Sequence, residues 1–556
     1  MSEAMRSRFL VVGLLATAFA LALTSAVQKS PTMDEQNHIA RGAAYLGTGD
    51  PRLSVEHPPL INVLSALPAH LLLDLHLPLD EWWEVGEWYH FADSFLWRAN
   101  SHPDRIVFLA RLPIIGLGLV LVSLVFRWAQ HRWGPRSGLL AAAFCALDPN
   151  ILAHTRLATT DVGGACFIFL AAYALWQAVR RPSWLRALGS GLAFGLALSA
   201  KLSNLLFGPI FALAVLVDAL TGKRDRLCRV VCNLTLLAFT VLLGLLIVWA
   251  AYGFQVGPLP PGEGIGGESE NSSQGPLVPA SPYLEGIRAI LNFSASGRPA
   301  YLLGQYSHQG WWYYFPVAFA VKTPLATLVA LILATGKVLR RFHRDDLLLL
   351  IPPLAYFLAS MTSSLNIGYR HLIPVLPFLA VHIARLAQPT NQPANQPTNL
   401  FHRLLPTFLA LWLAFATACI YPHFLAFFNP VGGGPQNGWH ILVDANIDWG
   451  QDLKGLKAWM GREGVDHVRL SWFGSARPEA YGIAYDLLPG VPHGFALWED
   501  PPFDRERPEP GVYAISVTNL VGVLFPDHDL FAWFRARPPD AKIGYSLFIY
   551  EVSADG

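Results

Sequence analysis

The chain has 556 residues, of which 53% are hydrophobic and 14% charged, with a net charge of +1. So small a net charge excludes a broad basic surface for nucleic acid, and so few charged residues exclude a soluble chain of several domains. Mean hydropathy is +0.36, and apolar runs able to cross about 30 Å of hydrocarbon recur through most of the length, so the class is a polytopic membrane protein.

In chain order the apolar runs predict eleven spans: 9–27, 106–126, 137–153, 162–179, 187–200, 202–220, 230–252, 314–335, 347–362, 371–386 and 404–421. The first has the length and basic start of a signal peptide. It is read as an uncleaved helix, because cleavage near Ala26 would free the motif that follows from its anchor. Basic residues alternate with the spans. Arg6 and Arg8 precede the first, and the inner loops carry Arg127, Arg132 and Arg136, then Arg180, Arg181 and Arg186. Lys223, Arg224, Arg226 and Arg229 follow, then Lys337, Arg340, Arg341 and Arg344. By the positive-inside rule the N-terminus is cytoplasmic and the C-terminus extracytoplasmic. The chain is thus expected to be an integral protein of the plasma (inner) membrane.

Three outer regions are long. Loop 28–105 holds Met33-Asp34-Glu35-Gln36-Asn37-His38, then Glu56-His57-Pro58-Pro59-Leu60. It also holds Trp82-Trp83-Glu84 through Trp88-Tyr89-His90-Phe91 and Trp97, a pattern that predicts an amphipathic helix in the membrane interface. Loop 253–313 opens on a Gly/Pro/Glu/Ser-rich stretch from Gly257 to Pro282, expected to be mobile. It closes on a second interfacial helix near 283–293 and the run Trp311-Trp312-Tyr313-Tyr314-Phe315. The third region is the tail. From about residue 422 hydropathy falls, and Ile441–Val443, Val468–Trp472, Val512–Val517 and Ser546–Val552 read as strands, with a helix at Leu453–Arg462. The predicted fold is therefore mostly α, about eleven transmembrane helices over 1–425 with a small extracytoplasmic α/β domain at 426–556. The inner loop Gln388–Asn399 is a repeat of QPxN type and carries no chemistry. Cys145, Cys166, Cys228, Cys232 and Cys419 lie in apolar segments or at their edges, so no disulfide framework is expected, and Cys228 and Cys232 share one helix face.

Charged residues collect at the outer helix ends. Asp34 and Glu35 follow the first span, with Glu56 and His57 in the same loop. Asp161 lies in the second outer loop and Lys201 at a tight outer turn. Lys322 lies within the outer half of the eighth span, and Arg370 and His371 start the tenth. For a lone cation the plain alternative is snorkelling to headgroups, and for the Asp34–Glu35 pair it is capping of a helix end. Lys322 is different: inside a span an unpaired charge costs roughly 2–3 kcal/mol, so a buried anionic partner is expected. Cations at this level suit the phosphate of a membrane-bound lipid, and a carboxylate beside them could deprotonate a hydroxyl. An ion-coupled transporter could use the same residue types.

Asp34-Glu35, His57-Pro58-Pro59-Leu60, Leu147-Asp148-Pro149-Asn150 leading to Thr160-Asp161, Ala200-Lys201-Leu202-Ser203, Lys322-Thr323-Pro324 and Tyr369-Arg370-His371-Leu372-Ile373-Pro374 occur in this order. In order and spacing they resemble the polyprenyl-phosphate-sugar-dependent glycosyltransferases of GT-C fold, the glycosyltransferase family 39-like group with the protein O-mannosyltransferases and lipid A aminoarabinose transferases. The resemblance covers about residues 1–425. It implies transfer of a sugar, with inversion, from a polyprenyl-phosphate carrier to an acceptor hydroxyl (on protein, lipid or glycan) at the outer face. Asp34 matches the catalytic base, and Glu35 and Asp161 would shape the acceptor or metal region. His57, Lys201, Lys322 and Arg370 would hold the carrier phosphate, and Glu56, His371 and Trp449 would bind acceptor or shape loops. His57 stands where aminoarabinose transferases tend to carry lysine, and the HPP form leans towards a hexose such as mannose; it leaves dependence on a divalent metal open.

The stretch from Phe428-Asn429 through Asp444-Ala445-Asn446-Ile447-Asp448-Trp449-Gly450-Gln451-Asp452-Leu453 resembles a tail of bacterial members of this group. It lacks the glycine and terminal glutamate of an EF-hand. It reads as a turn capping the next helix, with sugar binding by Trp449 as the alternative. Two readings from other classes remain: a secondary transporter or lipid flippase, for which no pairing of inverted halves is visible, and a glycan-binding protein without activity.

Overall fold

Each apolar run becomes helix, and prolines decide where the helices break. The computed structural model describes residues 3–221, 226–259, 276–388, 400–490 and 501–553. Helices Glu3–Gln28, Pro103–Trp133, Thr160–Arg180, Trp184–Ala200, Arg226–Ala251, Leu347–Ser360 and Leu400–Ile420 each cover one expected span. Among the described residues six helical segments are long and apolar enough to cross a membrane, or seven if one bent pair counts as a single span. The chain is an integral membrane protein of mostly helical build. Most of the QPxN repeat and residues 260–275 of the Gly/Pro-rich stretch lie outside the described residues.

Two expected spans are broken. Asp148 ends the helix Pro135–Ala146 and starts Pro149–Thr155, its Oδ1 accepting from the N–H groups of Asn150 (2.8 Å) and Ile151 (3.2 Å). Proline at the first helical position completes that start. Between Tyr314–Lys322 and Leu325–Arg340 the axis turns by 109°. Thr323 precedes Pro324 and takes the extended backbone (φ −76°, ψ 130°) that a following proline favours over helix.

At the end of the bundle that the charge asymmetry assigns to the cytoplasm, basic residues of different loops converge on buried aspartates. Asp218 accepts from Arg180 (2.6 and 3.0 Å) and from Arg344 (2.6 and 3.0 Å). Asp346 is paired with Arg132 (2.7 Å) and Arg385 (2.6 Å). Three of these four arginines, Arg132, Arg180 and Arg344, are among those the charge asymmetry assigns to the cytoplasm.

Residues 28–105, between the first two spans, fold on themselves. Helices Glu35–Thr48 and Pro59–Leu72 pack so closely at Gly42 that a Cβ there would lie 2.0 Å from the carbonyl oxygen of Asn62. The expected interfacial helix is instead three short pieces, Glu81–Glu84, Trp88–Asp93 and the wide-turned Ser94–Arg98, parted at Gly86 (φ 71°). Trp83, Phe91, Phe95 and Leu96 are buried against Ile39, Ala43, Ile106 and Ala110. The apolar face that the sequence offers to lipid is spent inside the loop's own core. The second expected interfacial helix forms as Ser281–Ser296, with Tyr283 and Gly286 buried and Leu291 exposed.

The tail builds a five-stranded sheet in the order 485–487, 468–471, 511–516, 547–552, 541–543. Its first two neighbouring pairs are parallel and its last two antiparallel. Helix Leu453–Glu463 buries Leu453, Leu456, Trp459 and Met460 against it. Three of the expected strands are present; Tyr485–Leu487 and Ala541–Ile543 are short edge strands beyond them. Ile441–Val443 is not a strand. Leu442 and Val443 are buried, but the segment follows a tight turn at Gly438–His440 and meets the left-handed backbone of Asp444 (φ 57°). Its carbonyls accept from Leu303 N–H at Ile441 (3.0 Å) and from Asn446 Nδ2 at Val443 (2.9 Å), with no strand partner. All five cysteines are free thiols, and the sulfurs of Cys228 and Cys232 lie 3.9 Å apart on one helix face.

Candidate active site

Adjacent residues at a helix start point in different directions, and this separates the two outer acids. Asp34 sits at the N-cap of helix Glu35–Thr48 without capping it, and its carboxylate is 32% exposed. Its Oδ2 accepts from Arg370 Nη1 at 3.0 Å. Glu35 points inward and is fully buried. Arg111, in the middle of helix Pro103–Trp133, grips it in a forked pair, Nε to Oε1 at 2.8 Å and Nη2 to Oε2 at 2.7 Å. The N–H of Ala158 reaches Oε1 and that of Thr32 reaches Oε2, both at 2.8 Å. Burial alone would raise the Glu35 carboxyl, but the Arg111 guanidinium and these bonds hold it below the usual range. Arg111 also donates to the carbonyls of Ala26, Lys29 and Ser30, so the pair fixes the exit of the first helix. Glu35 is therefore the support beneath Asp34, with no oxygen left for substrate or metal.

Arg370 is the hub. The tight turn at Tyr369–Val375 brings its guanidinium, 15% exposed, over Asp34 and within 3.9 Å of Asp161 Oδ2. Asp161, at the start of helix Thr160–Arg180, is buried and takes Lys201 Nζ at 2.5 Å, with His154 Nδ1 at 3.8 Å. Lys201 keeps 13% of its side chain open. Beneath Arg370 lies the ring of Trp449, its centroid 4.3 Å from the guanidinium carbon. Asp34, Asp161, Lys201 and Arg370 thus form one chain of charges at the end of the bundle assigned to the outside.

His57 borders this chain. Its ring stands edge-on to His38, centroids 4.7 Å apart, and His38 Nδ1 bonds Asn62 Oδ1 at 2.9 Å. Burial pushes the His57 imidazole well below its usual value, and His38, Arg41, Lys201 and Arg370 add to this. His57 is therefore neutral near pH 7 and can offer a hydrogen bond to a phosphate, but no charge. Glu56 stands 4.0 Å from Arg41 and is more than a third exposed, apart from the charge chain. His371 packs edge-on to Phe315 (6.2 Å), its Nε2 buried without a hydrogen-bond partner among the described residues.

Lys322 departs from expectation. Its ammonium donates to the carbonyls of Leu425 (2.8 Å) and Asn446 (2.6 Å) and lies over the Phe428 ring (4.5 Å). Among the described residues no carboxylate bonds it directly, although buried Asp148 lies within its field. Its direct bonds are to backbone carbonyls, and they tie the helix break to the tail.

Sequence reasoning missed Asp444. The left-handed turn there places its carboxylate in the field of Arg370, Arg298 and Asp34; burial pushes it up to about 6, against the pull of Arg370. As pH rises through that value Asp444 becomes an anion beside Arg370 and competes with any bound phosphate. A phosphodiester-linked donor does not itself titrate in this range. Its affinity is expected to fall a few-fold between pH 5 and 7.5, and the fall is expected to flatten in Asp444→Asn; donor KM measured across that range checks it.

Two of the carboxylates that a divalent metal could use are already bonded to cations. Glu35 is saturated by Arg111, Asp161 is engaged by Lys201, and no three His, Cys, Asp or Glu side chains among the described residues stand together as ligands.

Residues 106–250 match the family model described as dolichyl-phosphate-mannose-protein mannosyltransferase. This agrees with the resemblance read from the ordered motifs, and the matched segment holds Asp148, Asp161 and Lys201. No curated protein matches. Among solved structures, ArnT from Cupriavidus metallidurans bound to undecaprenyl phosphate is similar at 15% identity over 98% of both chains, with a TM-score of 0.49. The Archaeoglobus fulgidus oligosaccharyltransferase is 11% identical over 74% of this chain and 55% of that one, TM-score 0.45. The S. cerevisiae protein O-mannosyltransferase Pmt1–Pmt2 complex, bound to the sugar donor, is 17% identical over 46% of this chain and 34% of that one, TM-score 0.34.

Proposed function

We propose that this membrane protein transfers a sugar from a polyprenyl-phosphate carrier to an acceptor hydroxyl at the outer face, with inversion at the anomeric carbon. One observation carries the reading: a partly exposed carboxylate, Asp34, shares Arg370 with Asp161 and Lys201 at a single end of the helical bundle. The match of 106–250 to a mannosyltransferase family model supports it. The HPP sequence at His57-Pro58-Pro59 leans towards a hexose such as mannose.

The chemistry follows from the charges. The acceptor oxygen loses its proton to Asp34 and attacks the anomeric carbon from the face opposite the carrier. The bond from that carbon to the phosphate oxygen breaks, and the phosphate leaves with the lipid. Its new charge is met by Arg370 and Lys201, which removes the need for a general acid. In the structure Arg370 is bonded to Asp34 and occupies its Oδ2. A donor phosphate competing for Arg370 frees that carboxylate, so binding of donor and readiness of the base are linked.

The bent helix pair at Lys322-Thr323-Pro324 is the feature that would suit a transporter, since broken spans there expose backbone to cargo. Here that backbone is already taken. Asn429 Nδ2 donates to the carbonyls of Ala320 and Thr323, both at 2.7 Å, and Asn150 Nδ2 to that of Lys322 at 2.9 Å.

Arg370→Met is expected to weaken binding of undecaprenyl phosphate by at least about tenfold, because charge-assisted bonds to phosphate are the strong ones. Lys322→Met is expected to lower stability instead of donor affinity. Binding to purified protein in detergent, run with transfer of labelled polyprenyl-phosphate hexose, reads both. Unchanged affinity in Arg370→Met would move the phosphate site elsewhere, and counterflow without bond cleavage would replace the enzyme by a transporter.

A further inference from the structure

The tail segment 444–449 lies against the turn that carries Arg370, and Ala445, Asn446 and Trp449 each meet that turn or Arg370 itself. Asn446 Oδ1 accepts the backbone N–H of Tyr369 at 2.9 Å, while its Nδ2 donates to Tyr314 Oη (3.0 Å) and to the Val443 carbonyl (2.9 Å). The Asn446 carbonyl accepts from Lys322. Gly368 lets the two segments touch: a Cβ there would stand 3.2 Å from Ala445 Cβ and 3.4 Å from Arg370 Cγ. Trp449 then presents its ring to the guanidinium. Trp449 is itself wedged in place, its carbonyl accepting from Met33 N–H (2.8 Å) and its own N–H donating to Gln451 Oε1 (2.8 Å). Met33 is the residue before Asp34. The same short segment therefore braces both partners of the Asp34–Arg370 pair.

We infer that Asn446 and Trp449 are positioning residues for Arg370, holding its guanidinium flat over the indole and aimed at the donor phosphate. The inference rests on the proposed role of Arg370. A guanidinium on a buried indole keeps its charge while losing rotational freedom, so less is lost when it engages phosphate. Neither residue needs to touch substrate, and sugar stacking on Trp449 is blocked on the face that Arg370 covers.

Such a role predicts a particular split. In Trp449→Leu the KM for a polyprenyl-phosphate hexose is expected to rise about 5- to 30-fold, the size of a desolvated cation–π contact, with kcat reduced far less. Trp449→Phe is expected to recover most of the loss, because it restores a ring face. Asn446→Ala should behave like Trp449→Leu. Gly368→Ala, whose Cβ would press on Ala445 and Arg370 and shift the two segments slightly, gives a second route if Trp449→Leu does not fold, and it too should raise donor KM. The experiment measures KM and kcat for these variants beside wild type and Arg370→Met, with binding of undecaprenyl phosphate as a separate readout. Wild-type donor KM in Trp449→Leu or Gly368→Ala, or a loss confined to kcat, or no recovery in Trp449→Phe, overturns the inference. If donor binding is lost in Arg370→Met but intact in the clamp variants, the inference fails alone. If Arg370→Met binds donor normally, the reading of the site fails and the inference falls with it.

Discussion

Asp34→Asn is expected to cut turnover by about 10² or more while leaving donor binding in place. The substitution is nearly isosteric, and the Asn Oδ1 can still accept from Arg370, so the geometry of the pair survives. Asp34 makes no side-chain capping bond to its helix, so no helix start is lost with it. What disappears is the basic oxygen, and with it the acceptor's proton sink. Steady-state transfer and undecaprenyl phosphate binding on the same preparation separate the two effects. A variant with near-normal turnover would remove Asp34 from the base role, and one that fails to bind donor would make it part of the phosphate site instead.

The helical segments were legible because long apolar runs leave few alternatives in a bilayer, and the outer charges because helix ends are where such charges survive. What the sequence could not display is which of two neighbouring acids faces in. Asp34 and Glu35 read as one motif, yet the step of a single residue at the helix start sends Glu35 to Arg111 and leaves Asp34 at the open side. A signal existed: Arg111 lies within the apolar run 106–126, and a charge so placed calls for a carboxylate. The same argument applied to Lys322 calls for a buried anion; Asp148 lies within its field, but the direct bonds go to carbonyls at Leu425 and Asn446, more than a hundred residues away. Trp82 to Trp97 looked amphipathic because it is, but its apolar side meets protein. The segment 444–452 was seen as a turn before a helix. Asp452 indeed precedes helix Leu453–Glu463, but its carboxylate pairs with Lys29 and accepts from Ser546 (2.7 Å) rather than capping. Contacts this distant in sequence have no local pattern. Because they join the tail to Lys29, Lys322 and Arg370, removal of 440–556 is expected to prevent folding of the bundle's outer end, beyond any effect on acceptor choice; absence of folded protein on size-exclusion chromatography would check it.

Arg111→Met should be the most damaging single change to stability. It strips the forked partner from a carboxylate that has no exposure to water, and it frees the carbonyls of Ala26, Lys29 and Ser30 at the same stroke. Breaking a buried ion pair from one side typically costs about 3–5 kcal/mol, because the remaining charge is stranded. Glu35→Gln strands the opposite charge but leaves Arg111 its three carbonyls, so it is expected to cost less. The double variant, with no charge left, should recover part of the Arg111→Met loss. The pH dependence has a definite sign. Glu35 is held below its ordinary range in the folded protein, so its pair contributes fully above the unfolded carboxyl value of about 4.3. The contribution is lost only as pH falls through the folded value. Thermal unfolding of wild type, both single variants and the double in one detergent, at pH 7 and at pH 4, tests the set. Equal midpoints for wild type and Arg111→Met would mean that Glu35 finds another partner, and that the exit of the first helix, with Asp34 upon it, is held by something else.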